Sequence, residues 1–167
     1  MIRILIAGVG NVLRGDDGFG VAVAQALSRR GNLPAGVTVF EGGIAGIPLV
    51  QELMDGYDAL IVADAVERGG APGTIYLIEP DITDPATLDP LALHSSLADA
   101  HYTEPSKVLV LAKALGVLPP KVFIVGCQPA GYDELGAELS DEVRAAVGVA
   151  LNRIESLIET LNFQQTA

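Results

Sequence analysis

Apart from Arg3, the segment Ile2 to Val9 (IRILIAGV) is an unbroken apolar run rich in branched side chains. That is the pattern of a strand buried on both faces of a parallel sheet. The run ends at Gly8, Gly10 and Asn11, residue types that turn the chain. From Gly18 the segment GFGVAVAQALSRR carries apolar residues at helical spacing and closes on Arg29 and Arg30, at the end where the helix dipole favours cations. A strand, a turn and a helix in that order predict the first unit of an α/β fold.

The same alternation recurs along the chain. VTVF (Val37 to Phe40) is a short strand, IPLVQELMDG (Ile47 to Gly56) a helix and ALIVADAV (Ala59 to Val66) a third strand. TIYLIE (Thr74 to Glu79) follows through Gly69–Gly73, a link too tight for a helical crossover, so this strand is expected antiparallel to its predecessor. Residues Pro80 to Glu104 show no clear period and hold both histidines; a loop of that length inside a compact domain is usually functional or mobile. PSKVLVLAKALG (Pro105 to Gly116) begins with proline and ends with glycine, as helices do, and KVFIVGCQP (Lys121 to Pro129) is the fifth strand. The last segment has Asp141 and Glu142 in its first turn and apolar residues at Val143, Val147, Leu151, Ile154, Leu157, Ile158 and Leu161, one face of an amphipathic helix. The expectation is a single α/β domain, 1–167: a three-layer α/β/α arrangement with a mostly parallel, twisted five-stranded sheet and helices on both faces. Its ordered core would be 1–161, with 162–167 a tail.

Composition narrows the function. Ten Lys and Arg stand against 21 Asp and Glu, a net charge of −11, which opposes binding to nucleic acid or to an anionic bilayer. Mean hydropathy is +0.41, yet the apolar runs are far shorter than the roughly 20 residues a membrane span needs. No signal-peptide cleavage pattern follows the first run, so a cytoplasmic protein is expected; a monomer is the separate expectation for its assembly. One cysteine removes intramolecular disulfides and multi-thiolate metal sites, and with two histidines any metal site must draw mostly on oxygen.

In an open α/β sheet the functional crevice lies beyond the carboxyl ends of the strands. Three polar clusters fall there: Arg14-Gly15-Asp16-Asp17-Gly18, Asp64, and Gly126-Cys127-Gln128-Pro129. Asp16 reads as a helix N-cap. Asp17 sits in or beside the first helical turn, where an ionised carboxylate is favoured and available as ligand or base. Asp64, flanked by Ala63 and Ala65, is costly to bury unpaired and so points to a site. Cys127 reads as a small core residue more readily than as a nucleophile. A dinucleotide loop is disfavoured: Leu13 stands where G-x-G-x-x-G has its third glycine, losing close packing of helix on strand, and two aspartates would repel a pyrophosphate. No G-x-S-x-G elbow occurs. Asp17, Asp64 and either His94 or His101 remain, a set suited to a borderline divalent ion such as nickel or zinc.

GVGNVLRGDDGFG, EGGIAG, ALIVADAV, DAHYTEPSKVLVLAKALG and IVGCQP, in that order, resemble the hydrogenase maturation proteases. These endopeptidases trim the C-terminus of nickel-iron hydrogenase large subunits. The resemblance covers nearly the whole chain, and its most specific part is G-x-G-N-x-L-x-x-D-[DE]-x-x-G. It implies that Asp17, Asp64 and His101 bind nickel and carry the catalysis, with His101 rather than His94 because it lies at the family's distance before Val108-Leu109. It also implies that the nickel is supplied by the substrate, a hydrogenase large-subunit precursor already carrying it. Gly42, Gly43 and Gly46 either admit the substrate backbone or simply loosen the loop. A non-catalytic metal- or nucleotide-binding module on the same scaffold is the alternative, and a hydrolase using Cys127 a weaker one.

Overall fold

The computed structural model describes residues 1–44, 46–98, 105–131, 135–136 and 138–166. The elements run β1 (Ile4–Val9), α1 (Phe19–Arg30), β2 (Val37–Gly43), α2 (Gly46–Leu53), β3 (Ala59–Ala65), β4 (Ile75–Ile78), α3 (Pro90–Ala98), α4 (Pro105–Ala114), β5 (Lys121–Cys127) and α5 (Asp141–Thr166). They build one five-stranded sheet in the order β2-β1-β3-β5-β4, in which β2, β1, β3 and β5 are parallel and β4 is antiparallel.

Period-two alternation in the central strands sorts the core into two layers. Ile4 and Ile6 of β1 and Ala59, Ile61 and Ala63 of β3 pack with Phe19, Val23 and Leu27 of α1 and with the stripe Val143, Ala146, Ala150, Ile154, Leu157, Leu161 of α5. Leu5, Ala7, Leu60 and Val62 turn the other way, onto Leu49, Val50 and Leu53 of α2 and Val108, Leu109 and Ala112 of α4. The expected three-layer architecture is therefore present, with β1 and β3 buried between the helical layers up to their last residues, Val9 and Ala65.

The structure departs from the expectation in four places. Strand β4 has the expected direction, but β5 lies between it and β3, pairing Ile75 with Cys127 and Ile78 with Ile124. The link between β3 and β4 therefore crosses the end of β5 rather than closing a hairpin. The segment 80–104 is not one aperiodic loop. It holds a 3₁₀ turn, Pro85–Thr87, capped by Asp84 through Ala86 N–H (3.0 Å), and then α3, where Asp89 Oδ1 accepts from Ala92 N–H (2.8 Å) ahead of Pro90. Helix α5 runs on to Thr166 instead of ending at Leu161, and Lys121 Nζ donates to Gln164 Oε1 (3.0 Å), tying its last turns to the start of β5.

The fourth departure concerns helix packing. Leu13 does not loosen α1, because glycines elsewhere bring it onto the sheet. A Cβ on Gly20 would stand 2.1 Å from Ala63 O and 2.3 Å from Val9 O, and one on Gly8 2.2 Å from Gly20 O. Helix backbone thus rests on strand backbone at the carboxyl ends of β1 and β3, where the polar clusters emerge.

Candidate active site

The loop leaving β1 is shaped by its own polar atoms. Asn11 Oδ1 accepts from Leu13 N–H (2.9 Å), a side-chain-to-backbone turn, and Asn11 O accepts from Arg14 N–H (3.1 Å). Gly15 to Gly18 then form one 3₁₀ turn leading into α1. Gly10, at φ 132°, has no room for a side chain: a Cβ there would lie 1.9 Å from Asp17 O. The loop consequently folds back on itself, and Asp17 Oδ2 accepts from Asn11 N–H (3.2 Å).

Asp64 stands at the end of β3, 7% exposed, opposite Gly126 of β5. Burial pushes its carboxyl well above the ordinary carboxylate range, the negative charge of Asp17 pushes it further, and a hydrogen bond from the backbone of Ala65 opposes both. The two aspartates singled out by the sequence are therefore brought into electrostatic contact. A desolvated carboxyl under a second negative charge holds its proton above the ordinary carboxylate range, or takes a divalent cation whose charge would relieve the repulsion. Oxygen donors suit a hard or borderline ion. His94 is exposed on α3, and His101 lies outside the described residues. Among the described residues no three His, Cys, Asp or Glu side chains converge into a metal-holding group.

Asp16 is not the expected N-cap of α1. The cap position is Gly18, with no side-chain hydrogen bond, and Asp16 is 1% exposed with its carboxylate turned to the far end of the chain. Oδ2 accepts from Ala130 N–H (2.8 Å), Gly131 N–H (3.3 Å) and Ser140 Oγ (2.9 Å), and Oδ1 accepts from Ser140 N–H (2.7 Å). Two adjacent aspartates thus have opposite duties. Asp16 fastens the loop after β5 to the site loop, while Asp17 accepts from Asn11 N–H and its charge acts on Asp64.

Cys127 is fully buried, and its thiol is pushed up to about 11, first by burial and then by the charge of Asp16, against a backbone hydrogen bond from Gly73. A buried thiol that stays protonated is no nucleophile. Gln128, 3% exposed, was noted in the sequence only as part of a cluster. Its Oε1 accepts from Arg68 N–H (2.8 Å) and Gly70 N–H (3.2 Å), and its Nε2 donates to Glu67 Oε1 (2.6 Å). It anchors the crossing from β3 to β4. A buried amide directly after a strand was the available signal.

Gly42 and Gly43 serve the sheet itself. The pairing of β1 with β2 slips between Gly8 and Val9, which face Glu41 and Gly43, so Gly42 is the extra residue of a bulge. Gly43 takes φ 52°, and its carbonyl accepts from Gly10 N–H (2.9 Å), locking the β2 exit against the site loop.

The fold and site define an α/β protein that carries a buried carboxylate, Asp64, under the charge of Asp17 at the strand ends, with its one thiol buried. Residues 21–157 match the model of a family described as hydrogenase maturation protease. The hydrogenase expression/formation protein HupM of Azotobacter chroococcum mcd 1 is 39% identical over 149 residues, covering 89% of this chain and 68% of that one. The hydrogenase 2 maturation protease of Escherichia coli K12 is 33% identical over 155 residues, 92% of this chain and 88% of that one. Among solved structures, the hydrogenase maturating endopeptidase HybD from E. coli superposes with TM-score 0.73 at 32% identity, covering 95% of this chain and 94% of that one. This chain belongs to the hydrogenase maturation protease family, and its fold and peptidase class are those of that family.

Proposed function

We propose that the protein is the endopeptidase that removes a C-terminal peptide from the nickel-loaded precursor of a nickel-iron hydrogenase large subunit. The observation that carries this is the pairing of Asp17 with buried Asp64 at the carboxyl ends of β1 and β3, in a chain of this family. Asp17, Asp64 and His101 form the site on this reading, and they meet the nickel as part of the substrate rather than as a resident ion. Two carboxylate oxygens and one imidazole fit a borderline divalent ion and leave positions open for the precursor's own ligands.

The cut itself is assigned to water. A carboxylate oxygen of Asp64 that does not bind the ion is suited to accept the proton of a water molecule as that water attacks the scissile carbonyl carbon. The C–N bond then breaks as the same proton passes to the departing amine. Asp17 holds the metal-bearing end of the substrate beside Asp64. No covalent intermediate is needed, in keeping with the inert Cys127.

On this reading residues 1–167 work as one domain, monomeric and cytoplasmic, on a protein partner. No helix among the described residues is long and apolar enough to cross a membrane. The test is incubation with a hydrogenase large-subunit precursor, with and without nickel, followed by mass spectrometry of the large subunit. Loss of a C-terminal peptide only from the nickel-loaded form is expected; unchanged mass in both forms would refute the function.

A further inference from the structure

The end of the sheet that carries Asp17 and Asp64 is also where apolar side chains stand in water. Of the twelve exposed large apolar residues among those described, five leave the carboxyl ends of parallel strands: Val12 (57% exposed), Leu13 (62%), Ile44 (52%), Ile47 (42%) and Leu135 (81%). Backbone bonds make them one surface. Gly10 N–H donates to Gly43 O (2.9 Å), joining the Val12–Leu13 loop to the Ile44–Ile47 segment, and Gly136 N–H donates to Leu13 O (2.8 Å), joining Leu135 to the same loop. Beside Val12 lies a depression of about 260 Å³ lined by the apolar Val21, Ala22 and Leu139 and by the polar Gln25, Glu138 and Arg144. At ~30 Å³ per water it holds about nine, enough for one large side chain.

We propose that this apolar end is the surface on which the folded precursor docks, with one large apolar side chain of the precursor seated in the depression beside Val12. The inference rests on the processing function above and adds where the partner body sits. Three features choose this occupant. The surface is continuous with the site, since Leu13 and Asp17 share one loop. An apolar anchor seated in a pocket of mixed apolar and polar lining is how protein partners are held. A chain of net charge −11 repels acidic partners, so the docking face of the precursor is apolar with neutral or basic surroundings.

The test combines Leu13→Asp, Ile47→Asp and Leu135→Asp in one variant, with Met54→Asp plus Leu115→Asp, exposed at the opposite end of the sheet, as the control. Initial rates on nickel-loaded precursor are measured against its concentration, and folding is checked by thermal melting. The triple variant should raise KM tenfold or more with kcat within twofold, while the control changes neither. An unchanged KM in a folded triple variant, an equal rise in the control, or a loss confined to kcat would overturn the docking surface. Sedimentation supplies a further outcome: a wild-type dimer that the triple variant dissolves would assign the surface to a second copy of the chain and overturn the proposal. If the wild type cuts no precursor, the processing function fails on its own. The docking surface is then judged by calorimetric binding of the same precursor, where tenfold weaker binding by the triple variant supports it and equal or absent binding overturns it.

Discussion

The carboxylate of Asp16 accepts both the backbone N–H and the hydroxyl of Ser140, at 2.7 and 2.9 Å, across 124 residues of sequence. The same group holds the N–H groups of Ala130 and Gly131, so the first site loop, the exit of β5 and the start of α5 share one buried acceptor. Replacing it by Ala leaves several donors without a partner at about 1–3 kcal/mol each. Asp16→Ala should lose about 3 kcal/mol or more in urea unfolding and Ser140→Ala about 1 kcal/mol. A loss below about 1 kcal/mol for Asp16→Ala would mean that water replaces the latch.

Asp64→Asn should separate activity from stability. On the proposed mechanism this removes the general base and should cut processing by at least about 100-fold. In the folded chain the Asp64 pKa is raised, so its contribution to stability is fully present below the ordinary carboxylate range, near pH 4, and is lost as pH rises through the folded value. The Asn variant escapes that loss. Its melting temperature should exceed wild type at pH 7 without added metal, by about 2–4 °C per kcal/mol relieved, and the gain should fade below about pH 4. A lower melting temperature at pH 7 would contradict the assigned environment.

Asp17→Asn removes the charge that helps hold Asp64 up. A carboxyl titration followed by NMR should therefore show Asp64 moving down toward the ordinary range in that variant, while processing is lost. An unmoved Asp64 would mean that the two carboxylates are not coupled.

Cys127 should be silent at working pH. With its thiol near 11 and fully buried, iodoacetamide at pH 8 should leave the folded protein unmodified and label it only in denaturant. Its raised pKa makes folding less stable as pH climbs from 9 toward 11, by up to about 3 kcal/mol. Cys127→Ala should abolish that slope and retain processing. Rapid labelling of native protein would overturn this account.

Gly20→Ala should be among the most damaging single methyl additions, because the new Cβ meets the carbonyls of Ala63 and Val9 rather than movable side chains. A loss of about 3 kcal/mol, the upper end for overpacking, is expected together with reduced activity, since Ala63 precedes Asp64. Gly148→Ala on α5, where nothing lies within 4 Å of the new methyl, should instead gain about 0.5–1 kcal/mol. Thermal melts of the two variants should move in opposite directions.

The buried strands and the α5 stripe could be read from periodicity because burial on two faces, or on one, leaves a direct mark on side-chain choice. Asp64 was legible for the same reason, as a charge where the pattern demanded an apolar residue. What the pattern did not reveal was long-range partnership. Asp16 looked like a local cap because caps are common and the Ser140 contact spans the chain. Strand β4 looked like half of a hairpin because the short Gly69–Gly73 link gave its direction, but not the strand inserted beside it. In 80–104 the local signals were present, Asp84 before Pro85 and Asp89 before Pro90, but two turns of helix carry too little amphipathic pattern to stand out.

The position of β5 has a consequence for the order of folding. It begins at Lys121 and wedges between β3 and β4, both made more than 40 residues earlier. A growing chain that stops short of that strand leaves one edge of β3 open and β4 without a neighbour, and Asp64 has no Gly126 beside it. Pairings this distant in sequence form late and slowly. The aspartates come from the ends of β1 and β3, which pair with each other early, but the flank of Asp64 is covered by Gly126 only when β5 closes the sheet, so a partly synthesised chain leaves that carboxylate open on one side.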